Sequence, residues 1–248
     1  MSDYAIIIPA YNEEAYLAAT LASVRCAMKA VVGREGWLIV VDNNSTDRTA
    51  QVARENGADQ VVFEPHNQIA RARNAGAEST DALHLVFVDA DTQVPAETLQ
   101  KALELLASET VAGGGAGVVM DQPVTPMVRW ITSSWNRVSA RWQYAAGSFF
   151  FCRRDVFESV GGFDESVYAG EEVWFARRIK RWAKKQGMEF KVLIDLPVVT
   201  SARKSAWFST GDFVMQIGLI FLFPWATRSK RFCGIWYRRP EESKITNI

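Results

Sequence analysis

Residues 83–92 read LHLVFVDADT, a mainly apolar run that ends on the two aspartates Asp89 and Asp91. A strand with one face in water alternates apolar and polar residues, so this run predicts a strand buried on both faces. Similar apolar runs occupy residues 4–8, 37–41 and 61–63, and stretches with helical features separate them. Apolar strands that alternate with helices predict an α/β fold with a parallel sheet covered on both faces.

In a sheet of this kind, ligands bind at the carboxyl ends of the strands. The residues that follow the predicted strands are 9–13, 42–47 and 89–92, and all three groups are rich in polar side chains. The candidate chemistry of the first half of the chain is therefore expected at a single edge of the sheet.

The second half of the chain has a different character. A glycine-rich apolar run at residues 111–120 and the run SFFFC at residues 148–152 predict two more strands, and residues 189–195 predict the last one. Between them, Gly170, Glu171 and Glu172 begin a predicted helix whose far side is basic. Because no clear linker divides the chain, residues 1–200 are expected to form one domain, with halves at about 1–92 and 93–200.

The charge balance argues against nucleic acid as a partner, because Lys plus Arg and Asp plus Glu both number 28. Residues 201–248 nevertheless carry eight basic and three acidic side chains, which predicts a basic, helical C-terminal extension. Its apolar run, residues 213–226, is too short to cross a bilayer. With the basic and aromatic residues up to 239, it predicts either packing on the domain or peripheral contact with an anionic membrane surface.

The N-terminus and the cysteines bear on location. Residues 1–9 lack the basic start and long apolar run of a signal peptide. The three cysteines lie far apart in no metal-binding spacing, so neither a disulfide framework nor a zinc site is indicated. We expect a cytoplasmic protein, with peripheral attachment at the inner face of the membrane as the alternative suggested by the C-terminal segment.

Two acidic pairs are candidates for chemistry. Asp89 and Asp91 supply the oxygen ligands that Mg²⁺ and Mn²⁺ prefer, at a strand end that faces the ligand crevice. Glu171 and Glu172 have two interpretations, since acids in a first helical turn complement the helix dipole, and one of them could also act as a general base.

The polar loops and a predicted helix near residues 69–78 give further candidates. Asp42 and Glu13 could accept hydrogen bonds from a nucleoside, although Asp42 could instead cap the following helix. Arg71 and Arg73 could meet a diphosphate or form a solvated face. The chain contains neither a P-loop motif nor G-x-G-x-x-G, which removes the main support for a P-loop ATPase or a dinucleotide oxidoreductase.

Taken together, these segments resemble a known family. The ordered set is IIIPAYNEE, IVVDNNSTDRT, IARARNAGA, FVDADT, FFFCRRDVFESVGGFDE and YAGEEVWFARRIK. In this order and spacing it closely resembles the family-2 glycosyltransferases of the GT-A fold, from about Tyr4 to Arg181. That fold has a Rossmann-like, mostly parallel central sheet with helices on both faces.

The resemblance implies a hexosyltransferase that moves a sugar from a nucleoside-diphosphate donor to an acceptor hydroxyl with inversion. Asp91, with Asp89, would bind Mn²⁺ or Mg²⁺. The base would be Glu172, which stands where the family usually has Asp, with Glu171 as the alternative. The implied nucleotide-binding residues are Pro9, Tyr11, Glu13, Asp42, Asn44, Arg71, Asp89 and Ala90.

The resemblance also implies the partners. The acceptor would be a saccharide or a lipid-linked sugar, as in the synthesis of envelope polysaccharides or glycolipids. Transfer of single sugars is expected because the Gln-x-x-Arg-Trp signature of processive synthases is absent. The competing hypotheses are a degenerate sugar-nucleotide-binding protein without activity and a sugar-phosphate nucleotidyltransferase, whose Gly-rich basic first loop is missing here.

Overall fold

The computed structural model describes residues 2–143, 145–203, 227–229 and 232–233. Within them, the strands in chain order are β1 (Tyr4–Ala10), β2 (Gly36–Asp42), β3 (Gln60–Phe63), β4 (His84–Val88), β5 (Thr92–Gln93), β6 (Val111–Met120), β7 (Phe149–Arg153) and β8 (Glu189–Thr200). They form one sheet in the order β3-β2-β1-β4-β7-β6-β8-β5.

Helices cover both faces of this sheet. They are α1 (Leu17–Ala30), α2 (Thr49–Glu55), α3 (Ile69–Glu78), α4 (Ala96–Ala107), α5 (Pro126–Trp142), α6 (Arg154–Ser159) and α7 (Glu171–Gln186). Side chains of α1, α2 and α4 pack with Ile6 and Ile8 on one face. Side chains of α3, α6 and α7 pack with Ala5 and Ile7 on the other. Neighbouring residues of a strand point to opposite faces, which explains why β1 is apolar throughout.

Strand direction determines where the site lies. The strands β3, β2, β1 and β4 pair in parallel, and β1 and β2 stay in register to Ala10 opposite Asp42. Their carboxyl ends therefore meet at one edge of the sheet. His84, a histidine that we expect to have no catalytic role, begins β4 at the opposite end of the strand from Asp89.

The predicted fold class and the helix over Ile69–Glu78 are confirmed. The structure adds three features that the sequence patterns did not predict. The strand β7 runs antiparallel to β4 and β6, and the two-residue strand β5 pairs with β8. The strand β8 continues past Asp195 to Thr200, beyond an irregularity in its pairing with β6 near Pro197. Proline has no N–H to donate to the ladder of hydrogen bonds, so Pro197 indicates a strand end in the sequence. The continuation to Thr200 was therefore not predicted.

The C-terminal prediction falls mostly beyond the described residues. Of residues 213–239, only 227–229 and 232–233 are described, so the predicted contact of that segment with a membrane lies outside them. Among the helices of the described ranges, none has both the length and the apolarity needed to cross a bilayer.

Candidate active site

Hydrogen bonds join the loops that follow β1 and β2. The Asn12 N–H donates to Ser45 Oγ at 3.0 Å, and the Thr46 N–H donates to Asn12 Oδ1 at 2.8 Å. The Glu13 N–H donates to Thr49 Oγ1 at 2.7 Å in a buried position. Because each loop satisfies polar groups of the other, the two loops form one rim at the carboxyl edge of the sheet.

Four residues predicted to bind a nucleotide lie on this rim or at the strand ends beside it. Pro9 is buried in β1, and Tyr11 is half-buried just beyond it. Asp42 ends β2, and its Oδ1 accepts from the Ser45 N–H at 3.0 Å, so it closes the loop and does not cap α2. Asn44 is exposed with a φ of 63°, a left-handed conformation that asparagine tolerates better than most residues.

A buried arginine connects Glu13 with Asp91. The two terminal nitrogens of Arg203 each donate to a carboxylate oxygen of Glu13 at 2.6 Å, and Nη2 also lies 2.9 Å from Asp91 Oδ2. Its guanidinium carbon lies 4.4 Å from the centre of the Tyr16 ring. Burial alone would lower the pKa of Arg203, but Glu13 and Asp91 outweigh it and raise that pKa. Asp91 therefore has a cationic partner within the chain.

A second buried arginine, Arg73 of α3, links Asp89, which follows β4, with Glu171 at the start of α7. Its Nη1 donates to Glu171 Oε1 at 2.6 Å, and its Nη2 donates to Asp89 Oδ1 at 3.0 Å and to the Gly147 carbonyl at 3.1 Å. Only 1% of Arg73 and 4% of Glu171 are exposed. Burial would lower the pKa of Arg73, but the charges of Glu171 and Asp89 raise it overall. The acids after β4 and at the start of α7 are thus held together.

Glu172 lies beside this group with a different environment. Burial first, and the charge of Glu171 second, raise the pKa of the Glu172 carboxyl to about 8, while Arg73 acts in the opposite direction. A Cβ atom built on Gly147 would lie 3.7 Å from Glu172 Cδ, so this carboxyl sits against the loop between α5 and β7. A carboxyl with a pKa near neutrality is suited to accept a proton.

Two predicted residues lie apart from this arrangement. Arg71 pairs with Glu165 at 3.1 Å, and both side chains are more than a third exposed. The Ala90 side chain packs in the core, and its carbonyl accepts from Thr20 Oγ1 at 2.9 Å. Any contact of Ala90 with a ligand would therefore involve its backbone.

A cavity of about 280 Å³ adjoins Asp89 and Asp91. Its wall is formed by α5, β6 and the loop before β7, and includes Val118, Met120, Val128, Ile131, Trp135, Ala146 and Ser148. The cavity thus combines two acidic side chains, Asp89 and Asp91, with an apolar wall.

Among the described residues, the charges around the cavity do not balance. The connected acidic side chains are Glu13, Asp89, Asp91, Glu171 and Glu172, and their cationic partners are Arg73 and Arg203. This cluster has three more negative than positive charges when all are ionised, and two more when Glu172 is protonated. A diphosphate would be repelled by this excess unless a cation came with it. The hard oxygens of Asp89 and Asp91 suit a divalent cation, and oxygens of a ligand would have to complete its shell, since the described residues contain no group of three ligating side chains.

Arg203 and Arg73 are the site residues that the sequence analysis missed or left ambiguous. Arg203 counted only as one basic residue of the C-terminal extension, because the last strand was expected to end at Asp195. A strand extended to Thr200 would have placed Arg203 at a strand end. Arg73 was one of two arginines that could meet a diphosphate, but the expected nucleotide-binding residues included Arg71 and not Arg73. Nothing in the spacing showed that Arg73 is the buried one.

Comparison with known proteins gives consistent results. A family profile described as glycosyl transferase family 2 matches residues 5–161. An uncharacterized glycosyltransferase of Mycobacterium tuberculosis is 38% identical over 96 residues, which cover 39% of this chain and 40% of that protein. Glycosyltransferase AglE of Haloferax volcanii is 27% identical over 183 residues, or 70% of this chain and 60% of that protein.

Dolichol-phosphate mannosyltransferase of Saccharomyces cerevisiae is 28% identical over 149 residues, which cover 56% of this chain and 55% of the yeast protein. The matches to these three curated relatives thus span between 40% and 60% of their lengths.

Solved structures share the fold. The mannosyltransferase PcManGT from Pyrobaculum calidifontis, in complex with GDP-Man and Mn²⁺, matches with a TM-score of 0.66 at 22% identity, covering 92% of this chain and 65% of that one. S. aureus TarS 1-349 in complex with UDP-GlcNAc matches with a TM-score of 0.63 at 20% identity, covering 88% and 66%.

Proposed function

The chain belongs to glycosyltransferase family 2, and from this premise we propose that it transfers single sugars from a nucleoside-diphosphate donor to an acceptor hydroxyl with inversion, in a metal-dependent reaction. In this proposal the rim formed by the loops after β1 and β2 binds the nucleotide. The apolar cavity beside Asp89 and Asp91 takes the reacting end of the acceptor.

The observation that carries the proposal is the position of Arg73. This side chain holds Asp89 at the end of β4 and Glu171 at the start of α7, so two acidic segments that are far apart in sequence meet at one edge of the sheet. Glycosyl transfer in one displacement needs a group that stabilises the leaving diphosphate and a base on the acceptor side. The arrangement offers Asp89 and Asp91 to hold a cation for the diphosphate, and Glu171 and Glu172 on the acceptor side.

We assign the base to Glu172 and a supporting role to Glu171. Glu171 is engaged by the guanidinium of Arg73 at 2.6 Å, which suits it to a positioning role. Burial and the charge of Glu171 raise the pKa of Glu172 to about 8, which suits Glu172 to accept a proton near neutral pH. In the reaction, Glu172 would take the proton of the acceptor hydroxyl while that oxygen attacks the anomeric carbon. The diphosphate leaves from the opposite face, which produces inversion.

The negative excess of the acidic cluster supports metal dependence. Asp91 and Asp89 would hold the cation, which, when bound, neutralises charge on the leaving diphosphate. Without a ligand, both arginines of the described cluster pair with carboxylates, so the cluster as a whole has no excess of positive charge to offer a diphosphate. The Mn²⁺ in the PcManGT complex makes Mn²⁺ the first ion to test.

The donor and the acceptor are proposed only by class. GDP-Man and UDP-GlcNAc are present in the two structural neighbours, which supports a nucleoside-diphosphate hexose as donor. The apolar wall of the cavity supports an acceptor with an apolar group next to its hydroxyl, such as a lipid-linked sugar. A saccharide without a lipid is the second acceptor class to test.

A donor panel tests the proposal. UDP, GDP, CDP and dTDP, each with Mn²⁺, should raise the melting temperature to different extents, since a ligand that binds the folded state stabilises it. The hexose of the best nucleotide should then be released from its donor in an Mn²⁺-dependent reaction with water or an added sugar acceptor. The anomeric configuration of the first-formed product, measured by NMR, should be inverted.

Binding of a nucleotide without any turnover would favour the binding-only hypothesis. Full turnover in the presence of EDTA would contradict metal dependence, and a product with retained configuration would contradict the single displacement.

A further inference from the structure

Arg203 contacts Asp91, the carboxylate that the proposed function assigns as a metal ligand. Its guanidinium makes two hydrogen bonds of 2.6 Å to Glu13, lies 2.9 Å from Asp91 and stacks on Tyr16. Glu13 and Arg203 each have less than 10% of their surface exposed. This is a built arrangement, because an arginine loses its hydration on burial and stays charged only if carboxylates replace the water.

A divalent cation and this guanidinium would compete for Asp91. Both are positive, and a cation bound to Asp91 would lie within a few ångströms of Nη2, where like charges repel strongly in a partly buried site. We propose that Arg203 is a resident counter-ion of Asp91, which it releases when the divalent cation and the donor diphosphate bind. This inference rests on the proposed function for its metal and its donor.

The backbone around Arg203 indicates how the exchange would occur. The Ser201 N–H donates to the Asp91 carbonyl at 3.1 Å, and the Ala202 N–H donates to Asp121 Oδ1 at 2.9 Å. These bonds keep the start of the C-terminal segment beside Asp91, so the guanidinium moves and the backbone stays. The guanidinium keeps its hydrogen bonds to Glu13, while the N–H group of Nη2 that faces Asp91 turns to a phosphate oxygen of the donor.

The exchange links cation and nucleotide binding. A nucleoside diphosphate that attracts Arg203 frees Asp91, and the cation affinity rises as a result. By linkage, the cation raises the nucleotide affinity by the same factor. A purely structural role of Arg203, as a clamp between the β1 loop and the end of β8, predicts no such gain when the arginine is removed.

The test measures Mn²⁺ binding to the full chain without nucleotide, by EPR of the free ion. Arg203→Met alone would leave Glu13 buried without a counter-ion and could impair folding. The double variant Glu13→Gln/Arg203→Met removes both charges and leaves Asp91 available. The control is Arg25→Met, which removes an arginine that pairs with Asp59 and the Gly57 carbonyl. Asp91→Asn, alone and added to the double variant, reports whether Asp91 is the ligand.

We expect the double variant to bind Mn²⁺ about tenfold tighter than the wild type, a typical size for coupling between sites. The Arg25→Met protein should bind Mn²⁺ like the wild type, and Asp91→Asn should cancel the gain. Adding GDP or UDP should raise Mn²⁺ affinity more in the wild type than in the double variant.

The contrary outcomes separate the inference from the proposed function. If Asp91→Asn weakens Mn²⁺ binding but the double variant binds like the wild type, the metal site stands and the counter-ion role is wrong. If Asp91→Asn has no effect in any background, or no protein binds Mn²⁺ even with nucleotide, the proposed metal role fails and the inference fails with it.

Discussion

The two halves of the sheet hold their functional surfaces in opposite ways. In the N-terminal half, residues 4–92, the loops after β1 and β2 are joined by buried hydrogen bonds such as the one from the Glu13 N–H to Thr49. In the C-terminal half, residues 93–203, the helix α5 buries only Ser139, and its residues Trp130 and Trp142 are 63% and 60% exposed. Within the described residues, a polar rim joined by buried hydrogen bonds thus faces a helix whose side chains are largely exposed.

The difference suggests a division of labour. A nucleotide is a polar ligand that binds best to donors and acceptors held in place beforehand. An acceptor with apolar groups is recognised by area and shape, for which an apolar wall is sufficient. Arg73 is one of the residues through which the halves meet, because it extends from α3 to Glu171 in α7.

Glu172→Gln should have the largest effect on rate. Loss of a general base costs about 10²- to 10⁴-fold in kcat, because the base acts in the transition state. The Kd for the nucleotide should stay within about threefold, since the rim is untouched. Steady-state kinetics and nucleotide titrations check both values.

Glu171→Gln is the matched control for the base. It should lower the free energy of unfolding, because the buried Arg73 loses a charged partner. If Glu171→Gln instead shows the large kcat loss at normal stability, while Glu172→Gln is active, the base is Glu171.

Arg73→Met should separate the two halves at their joint. It leaves Asp89 and the buried Glu171 without their cation, and breaking a buried ion pair costs about 3–5 kcal/mol of unfolding free energy. Arg154→Met, which removes a half-buried arginine bound mainly to backbone carbonyls, should cost less. Urea denaturation measures both. Equal losses would show that Arg73 is no more than an ordinary packed arginine.

The pH dependence of the rate should come from Glu172, the proposed base on the acceptor side. Because the base must be deprotonated and the pKa of Glu172 is raised to about 8, the rate should increase with pH up to that value. Between pH 6 and pH 8 the expected increase in kcat/KM is about fiftyfold, with a plateau above. The residual activity of Glu172→Gln should lack this rise. A flat profile in the wild type would argue against Glu172.

Stability should change with pH in the opposite direction. The pKa of Glu172 is higher in the folded than in the unfolded chain, so its contribution to stability is complete at acidic pH and is lost as pH rises through about 8. Glu172→Gln should therefore lose less stability than the wild type over the same pH range.

The sequence predicted the fold and the polar edge of the sheet better than it predicted the contact between Arg73 and Glu171. Apolar strands and the polar residues after them report local rules, so Asp42, Asp89 and Asp91 could be placed at one sheet edge from sequence. Which of the two arginines in α3 is buried depends on its packing partner, Glu171, which lies 98 residues later in the chain. No local pattern carries that information.

Arg203 shows a second limit. Its role depends on β8 continuing beyond Pro197 to Thr200, where a proline normally ends a strand. Its partner Glu13 lies at the other end of the chain, with a sequence separation of 190 residues. The sequence patterns place Glu13 in a nucleotide-binding loop and Arg203 in a basic extension, and only the three-dimensional structure pairs them.

Thr49→Val should weaken the fixed rim with a moderate effect. The substitution keeps the shape of the side chain but removes the acceptor of the buried Glu13 N–H, and an unsatisfied buried donor costs about 1–3 kcal/mol. Because Glu13 moves with it, the Kd for the nucleotide should rise as well. Thermal unfolding and nucleotide titration measure the two effects. Unchanged nucleotide affinity would mean that the loop bonds serve stability alone.

Ile131→Ala should have the smallest effect on stability and should act on the acceptor alone. Ile131 is half-buried on α5 and lines the apolar wall of the cavity. Its truncation should cost about 1 kcal/mol of unfolding free energy or less, since the large losses of core substitutions require full burial. For an acceptor with an apolar group, KM should rise about fourfold or more, because each buried methylene contributes about 0.8 kcal/mol. The KM for the donor should not change, in contrast to Thr49→Val. A rise in donor KM with acceptor KM unchanged would place the donor sugar, and not the acceptor, against this wall, and would reverse the division of labour between the two halves.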